Sequence, residues 1–129
     1  MIYLDASALV KLVAPEPESA ALLAYLADRP ERVSSALSRV EVLRALARAG
    51  APARARQRAL RVLARVALVR LDDSILERAS TVRPAALRTL DALHLATALE
   101  VAPAVEMVTY DERLAEASRA AGLRVAAPS

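Results

Sequence analysis

The sequence predicts an α/β fold in which helices cover both faces of a mostly parallel central sheet, a three-layer α/β/α sandwich. Short strand-like segments alternate with longer segments of helical periodicity along the whole chain. This alternation favours parallel strand pairing, because each crossover helix returns the chain to the same edge of the sheet. With 129 residues, of which 56% are hydrophobic, the chain is expected to form one domain spanning residues 1–129.

Five short segments predict the strands. They are apolar or alternate between apolar and polar residues, and turn-forming or helical sequence bounds them. In chain order they are MIYL, ERVSS, ALVRL, VEMVTY and RVAA.

Helical sequence fills the first interval, from about Ser7 to Asp28. Pro15 and Pro17 divide it, because proline cannot continue a helix but fits its first turn. The sequence therefore predicts two helices here, with Pro17 in the first turn of the second.

The remaining helices follow the same rules. LSRVEVLRALARAG is expected to stop at Gly50 and to bury a face containing Val40, Leu43 and Ala47. PARARQRALRVLARV should begin at Pro52 and carry an arginine-rich face. Three further helices are predicted in DDSILERASTV, TLDALHLATALEV and DERLAEASRAAG, the first capped by Asp72 and the last ending at Gly122.

The composition excludes several classes of protein. Cysteine is absent, so there is no disulfide framework, thiolate metal site or cysteine nucleophile. The longest apolar run, ALHLATALEVAPAV, is interrupted by His94, Glu100 and Pro103. Because no run reaches the roughly 20 apolar residues of a spanning helix and no signal peptide is recognisable, we expect a soluble cytoplasmic protein without a membrane partner.

Four acidic residues fall where an α/β sheet usually places its functional site. Asp5 follows the first strand and Asp111 follows the VEMVTY strand, so both belong to the carboxyl edge of the sheet. Glu41 and Asp91 lie near the starts of their helices, Asp91 in an almost entirely apolar one. A partly buried carboxylate without a basic partner requires a cation, which predicts that the four acids converge on a shared site.

Each acid also has a purely structural explanation. Asp5 and Asp111 are suited to cap the helices that follow them. Asp91 lies near the start of its helix, where the helix dipole stabilises a negative charge. Glu41 is spaced to pair with Arg44 or Arg48 on its own helix. An oxygen-only ligand set suits Mg²⁺ or Mn²⁺ rather than zinc, so the functional interpretation is a magnesium or manganese site.

The segments YLDASALVKL, SRVEVLRAL, TLDALHLATAL and VTYDERL, in this order and across essentially the whole chain, resemble the PIN-domain ribonucleases, above all the VapC-type toxins of toxin–antitoxin pairs. The resemblance implies a metal-dependent endoribonuclease that hydrolyses RNA with an Mg²⁺ or Mn²⁺ site. It also implies a cognate antitoxin as partner and a homodimer. By motif, the catalytic and metal-binding acids are Asp5, Glu41, Asp91 and Asp111; Ser7 and Thr109 match supporting positions, and Glu112 is a secondary candidate.

Three other polar or aromatic residues have a structural interpretation. His94 lies between Leu93 and Leu95 and is expected to be a buried, hydrogen-bonded histidine rather than a general base. Tyr3 and Tyr110 are expected to pack rather than stack on bases.

Two questions remain open: the role of the arginine-rich helix and whether the chain is catalytically active. The arginine-rich helix could contact RNA, be a solvated face or contact the antitoxin. The main functional alternative is a catalytically silent PIN-like module that binds RNA or protein. A phosphatase of the haloacid-dehalogenase type and a receiver domain both lack residues that those folds require.

Overall fold

A computed structural model describes residues 1–101 and 104–129, so Pro103 lies outside the described residues. Five parallel strands form one sheet, and seven helices are present in the described part of the chain, as the sequence predicted. The strands are β1 (Ile2–Leu4), β2 (Arg32–Ser35), β3 (Ala67–Val69), β4 (Glu106–Val108) and β5 (Arg124–Ala126). The helices are α1 (Ala6–Val13), α2 (Ser19–Leu26), α3 (Leu37–Arg48), α4 (Ala53–Ala64), α5 (Asp73–Thr81), α6 (Thr89–Val101) and α7 (Glu112–Ala120).

The strand order is β3-β2-β1-β4-β5, with β1 in the centre. Ile2 of β1 pairs with Arg32 of β2 on one side and with Glu106 of β4 on the other. The chain first builds the sheet outward from β1 to β3, and then crosses to add β4 and β5 on the opposite side of β1. The strand order therefore reverses between β1 and β4, which is where open α/β sheets form their ligand crevice.

The core divides into two layers because neighbouring residues of β1 face opposite sides. Ile2 and Leu4 pack with apolar residues of α1 to α4, whereas Tyr3 packs with residues of α6 and α7. Helix α5 lies mainly against α6. None of the described helices is long and apolar enough to cross a membrane.

Glycines end two of the predicted helices. Gly50 and Gly122 follow α3 and α7 with φ values of +64° and +93°, the left-handed conformation that a helix C-terminus favours and that glycine adopts without strain. The predicted stop signals at both positions are confirmed.

Helix α2 begins later than predicted, at Ser19, so Pro17 precedes the helix instead of lying in its first turn. Side-chain contacts explain the difference. Lys11 forms ion pairs with Glu16 and Glu18. The Ser19 hydroxyl donates to the Lys11 carbonyl at 2.7 Å and accepts from the Glu16 amide at 2.9 Å. These contacts hold residues 16–18 as a turn against the end of α1.

The predicted buried face of α3 was wrong. Val40 is 58% exposed, and the buried residues of the helix are Ser38, Val42 and Leu46. Ser38 can be buried because its hydroxyl hydrogen-bonds that of Ser34 at 2.7 Å, so its polar atom is satisfied. The spacing of apolar residues alone therefore predicted the wrong buried face for α3.

Candidate active site

The carboxyl edge of the sheet brings the predicted acidic residues to the point where the strand order reverses. Asp5 directly follows β1, and Asp111 lies three residues beyond the end of β4, the strand beside it. The parallel register aligns Leu4 with Val108, so the two strands end at the same level. Adjacent parallel strands thus deliver two carboxylates from distant parts of the sequence to one edge.

Asp5 is almost fully buried and is held by three hydrogen bonds. Its Oδ1 accepts from the Ala8 amide at 3.0 Å and from the Ser7 hydroxyl at 2.7 Å, and its Oδ2 accepts from the Thr109 hydroxyl at 2.6 Å. Burial raises the pKa of this carboxyl above its ordinary value, and the hydrogen bonds from Thr109 and Ser7 oppose that rise. The side chain is therefore fixed in place while its negative charge remains poorly compensated.

The capping roles predicted for Asp5 and Asp111 are present, and each uses one carboxylate oxygen. Asp5 caps α1 through Oδ1, and Asp111 caps α7 through Oδ1, which accepts from the Leu114 amide at 3.0 Å. In both residues Oδ2 faces a different partner: Thr109 for Asp5 and Arg88 for Asp111. Capping and a role in the site are thus compatible in the same side chain.

Ser7 and Thr109 connect the segments that carry the two capping aspartates. The Ser7 hydroxyl accepts from the Tyr110 amide at 3.0 Å, and the Thr109 hydroxyl accepts from the Asp111 amide at 3.0 Å. Each hydroxyl also donates to Asp5, so it joins the loop after β4 to the start of α1. Ser7 and Thr109 therefore fix the Asp5 carboxylate relative to the loop that carries Asp111.

Glu41 projects from the second turn of α3 and is paired with His94 of α6. Its Oε1 lies 2.7 Å from His94 Nε2, and His94 Nδ1 lies 2.7 Å from the Tyr3 hydroxyl. Because a carboxylate can only accept, Nε2 carries the hydrogen, and in the neutral ring Tyr3 then donates to Nδ1. Glu41 therefore pairs with His94 rather than with Arg44 or Arg48, the pairing that its structural explanation offered. His94 is a buried, hydrogen-bonded histidine as predicted.

Asp91 is buried in the first turn of α6 and interacts with a basic residue that the sequence reasoning missed. Arg88 Nε lies 3.3 Å from Asp91 Oδ2, and Arg88 Nη2 lies 3.0 Å from Asp111 Oδ2. Burial and the charge of Asp111 raise the pKa of Asp91, and the nearby Arg88 opposes the rise. One guanidinium thus bridges two carboxylates that repel each other. The three-residue spacing from Asp91 was the only signal for Arg88 in the sequence.

The other residues singled out in the sequence differ in their relation to this acidic edge. Glu112 is exposed at the start of α7 and borders a cleft that also involves Asp111 and Arg119. Tyr3 is fully buried, and Tyr110 packs against the core and donates from its hydroxyl to the Pro128 carbonyl, so both tyrosines pack as predicted. On α4, most arginines are exposed, and Arg58 donates to the Val13 carbonyl at 3.1 Å.

The donor set fits a hard divalent cation in its chemistry. Asp5, Asp91 and Asp111 offer only carboxylate oxygens, and burial raises the pKa of both Asp5 and Asp91, as expected where negative charge lacks a cation. Within residues 1–101 and 104–129, however, the side chains as arranged do not form a group of three or more ligands around one point. Arg88 already engages an oxygen of two of these carboxylates, so a metal ion would have to compete with its guanidinium.

The family model of the PIN domain matches residues 2–120. Among curated proteins, the chain is 50% identical over 129 residues to Ribonuclease VapC46 of Mycobacterium tuberculosis (strain ATCC 25618 / H37Rv), and the match covers 99% of this chain and 98% of that protein. It is 38% identical to Ribonuclease VapC47 of M. tuberculosis (strain CDC 1551 / Oshkosh) over 133 residues, which cover 99% of this chain and 97% of that protein.

Solved structures share the fold at lower identity. A toxin–antitoxin complex from Klebsiella pneumoniae contains a chain with a TM-score of 0.74 and 23% identity, and the match covers 100% of this chain and 98% of that one. VapC20 of M. tuberculosis, described as a toxin that cleaves the sarcin–ricin loop, gives a TM-score of 0.70 at 18% identity, covering 95% and 96% of the two chains. The three-layer arrangement predicted from the sequence is therefore that of known toxin structures.

Proposed function

The chain belongs to the PIN-domain family, with VapC ribonucleases among its relatives, and we propose that it is a metal-dependent endoribonuclease that acts as the toxin of a toxin–antitoxin pair. The observation that supports the proposal is a set of contacts that links three acids from different elements at the carboxyl edge of the sheet. Thr109 bonds both Asp5 and the Asp111 amide, and Arg88 contacts both Asp91 and Asp111. The site residues are Asp5, Glu41, Asp91 and Asp111, with Ser7 and Thr109 in support and Glu112 as a lower-ranked candidate.

The three aspartates would hold the divalent cation, which is Mg²⁺ or Mn²⁺ because every side-chain donor is a carboxylate. When bound, such an ion supplies Lewis-acid activation of water and stabilises charge on a phosphodiester during in-line hydrolysis. Glu41, held by His94, extends the acidic edge toward α3.

The chain's own residues fix the position and charge of this edge. Thr109 and Ser7 hold the Asp5 carboxylate rigidly, which avoids reorganisation when a cation binds. Tyr3 and His94 direct one oxygen of Glu41 inward to the protein. Without a cation the concentration of negative charge would repel an RNA backbone, so substrate binding depends on metal binding.

RNA and a cognate antitoxin are the proposed partners. The exposed arginines of α4 can contact a phosphate backbone or an acidic segment of the antitoxin, and both contacts would weaken with salt. A homodimer, a single domain over residues 1–129 and a cytoplasmic location complete the proposal.

Cleavage of a total RNA pool tests the proposed activity. Purified protein free of antitoxin is incubated with RNA and Mn²⁺ or Mg²⁺, with EDTA in a parallel sample and with the Asp5→Asn variant as control for a contaminating nuclease. We expect discrete products that require the metal and disappear in the variant. A folded wild type that binds metal but leaves all RNA intact would instead support the silent RNA- or protein-binding module.

A further inference from the structure

The guanidinium of Arg88 pairs with two of the acids that we propose as metal ligands. Its Nε and Nη2 contact Asp91 and Asp111 at 3.3 and 3.0 Å, and both contacts use the Oδ2 atom. The two acids come from elements 20 residues apart in sequence, α6 and the loop before α7. A single side chain therefore joins two carboxylates that repel each other; burial and the charge of Asp111 together raise the pKa of Asp91.

Resting on the proposed function, we propose that Arg88 is an exchangeable internal counter-ion. Its guanidinium bridges Asp91 and Asp111 when no divalent cation is bound; metal binding releases it, and the freed guanidinium then binds a phosphate of the RNA.

The release step follows from exposure and from the competition for the same atoms. The side chain of Arg88 is 66% exposed, whereas those of Asp91 and Asp111 are 11% and 24% exposed. An arginine this exposed regains hydration when it leaves, so the pairs are individually weak. The buried carboxylates cannot move away as easily, and a divalent cation offers them twice the charge at shorter range. The arginine is therefore the member of the cluster that leaves.

The position of Arg88 in the chain allows this exchange without disturbing the fold. The residue directly precedes α6, and its carbonyl accepts from the Ala92 amide at 2.8 Å, a bond that does not involve the side chain. The guanidinium can move while the backbone continues to support the helix. Asp91, only three residues further along, stays in the first turn of α6, where the helix dipole favours its charge.

The binding step follows from charge and geometry. Once two acids are neutralised by metal, the guanidinium remains at the edge of the site without its former partners. Guanidinium groups bind phosphate through paired N–H donors, and the proposed substrate places a phosphate at this edge. Arg88 would therefore contribute to RNA binding after it has stopped competing with the metal.

The two roles predict opposite effects of removing the side chain. In Arg88→Ala, Mn²⁺ should bind roughly three- to tenfold more tightly in the absence of RNA, since two exposed ion pairs no longer compete. Cleavage at saturating Mn²⁺ should nevertheless fall about tenfold, since a charged hydrogen-bond donor to phosphate is lost. Arg88→Lys keeps the charge but lacks the fork that reaches both acids, so its Mn²⁺ affinity should lie between those of wild type and Arg88→Ala.

Arg78→Ala provides the matched control. Arg78 Nε lies 3.0 Å from Glu100 Oε1 in another partly exposed ion pair, at the far end of α6, about 13 Å along the helix from Asp91. This variant loses the same charge and one ion pair away from the acidic edge, so it measures the effect of these losses where no proposed metal ligand is involved. It should bind Mn²⁺ and cleave RNA like the wild type.

The experiment combines isothermal titration of each protein with MnCl₂ and cleavage of one RNA at saturating Mn²⁺. Tighter Mn²⁺ binding with slower cleavage in Arg88→Ala, and neither change in Arg78→Ala, supports the proposal. Unchanged or weaker Mn²⁺ binding in Arg88→Ala overturns it, as does cleavage at the wild-type rate. A wild type that cleaves RNA together with either negative result leaves the proposed function intact, whereas a wild type that neither binds Mn²⁺ nor cleaves refutes both.

Discussion

The Thr109 hydroxyl donates to Asp5 Oδ2 at 2.6 Å, which connects two residues 104 positions apart at the carboxyl edge of the sheet. The same hydroxyl accepts from the Asp111 amide at 3.0 Å, so it links the backbone of one acidic segment to the carboxylate of the other. Thr109 is buried, and its two bonds set the relative position of Asp5 and Asp111. This contact is the most direct structural reason why the two acidic segments lie together at one edge of the sheet.

Replacing Thr109 by valine should impair the site while preserving the fold. The change keeps the shape of the side chain but removes both hydrogen bonds, leaving Asp5 Oδ2 buried without this donor. We expect RNA cleavage to fall about 10- to 100-fold, the usual effect of removing a group that orients a metal ligand. Thr81→Val is the control, because its hydroxyl donates to the Arg78 carbonyl at 3.2 Å on the exposed surface of α5. Wild-type activity in Thr109→Val would contradict the positioning role.

Asp5→Asn should make the metal-free protein more stable while it abolishes cleavage. Burial raises the pKa of Asp5, so the folded state holds this proton to a higher pH than the unfolded chain does. Ionisation of Asp5 therefore opposes folding, and the free energy of unfolding falls as the pH rises through the raised pKa. Asp5→Asn has no charge at this position, so its free energy of unfolding does not fall in this way.

The measurement is chemical unfolding of both proteins in EDTA as a function of pH. The free energy of unfolding of Asp5→Asn should exceed that of the wild type at neutral pH. The difference should shrink as the pH falls toward and below the ordinary aspartate pKa of 3.8. Asp73→Asn, an exposed change in the first turn of α5, should show no such gain. A variant that is less stable than the wild type at neutral pH would mean that the hydrogen bonds to the carboxylate outweigh the cost of its burial.

The sequence predicted the order of the elements because each strand and helix carries its own local signals. Strand segments, capping aspartates and terminal glycines act over a few residues, and all were located correctly. The contacts of the site depend on distant residues. The sequence prediction missed Arg88. Its spacing to Asp91 was a signal for one ion pair, but its contact with Asp111, 23 residues away, depends on the fold. The pairing of His94 with Glu41 across 53 positions has the same origin.

The buried face of α3 was mispredicted for a related reason. Apolar spacing favoured the side with Val40, but burial of a polar residue is permitted wherever a partner satisfies it. Ser34 supplies that partner to Ser38, and it also donates to the Leu4 carbonyl. Because Ser34 lies in a neighbouring strand rather than in the helix, the apolar periodicity of α3 could not predict its contact with Ser38.

Mn²⁺ affinity should fall as the pH is lowered, and metal binding should release protons. Burial raises the pKa values of Asp5 and Asp91 above the ordinary value of 3.8, so protons compete with the cation at higher pH than for exposed carboxylates. Titration calorimetry from about pH 5 to about pH 8, in buffers of different ionisation enthalpy, measures both effects. The dependence should be shallower in Asp5→Asn, which has lost one competing proton. A pH-independent affinity would exclude these carboxyls as ligands.

Tyr3→Phe should weaken the orientation of Glu41 although Tyr3 does not touch it. The variant removes the hydroxyl that lies 2.7 Å from His94 Nδ1, so the ring nitrogen is left buried without this donor. We expect the free energy of unfolding to fall by about 1–3 kcal/mol and cleavage to fall about tenfold.

The control for this change is Tyr25→Phe. Its hydroxyl likewise donates to a side chain, the carboxylate of Glu106, but at the amino end of β4 and therefore at the opposite edge of the sheet. That variant should keep wild-type cleavage. Equal losses of cleavage in the two variants would mean that general destabilisation, rather than the link from Tyr3 through His94 to Glu41, reduces activity.

Ser118→Ala should stabilise the protein without affecting the site. Ser118 lies fully buried on α7, and its hydroxyl has no hydrogen-bond partner among the residues that the structure describes. Burying an unsatisfied hydroxyl is unfavourable, and alanine also has the higher helix propensity. We expect the free energy of unfolding to rise by about 1 kcal/mol, measured by denaturant titration, with cleavage unchanged. Ser80→Ala, at an exposed position on α5, tests whether propensity alone accounts for the gain. A loss of stability in Ser118→Ala would mean that the hydroxyl is satisfied in solution.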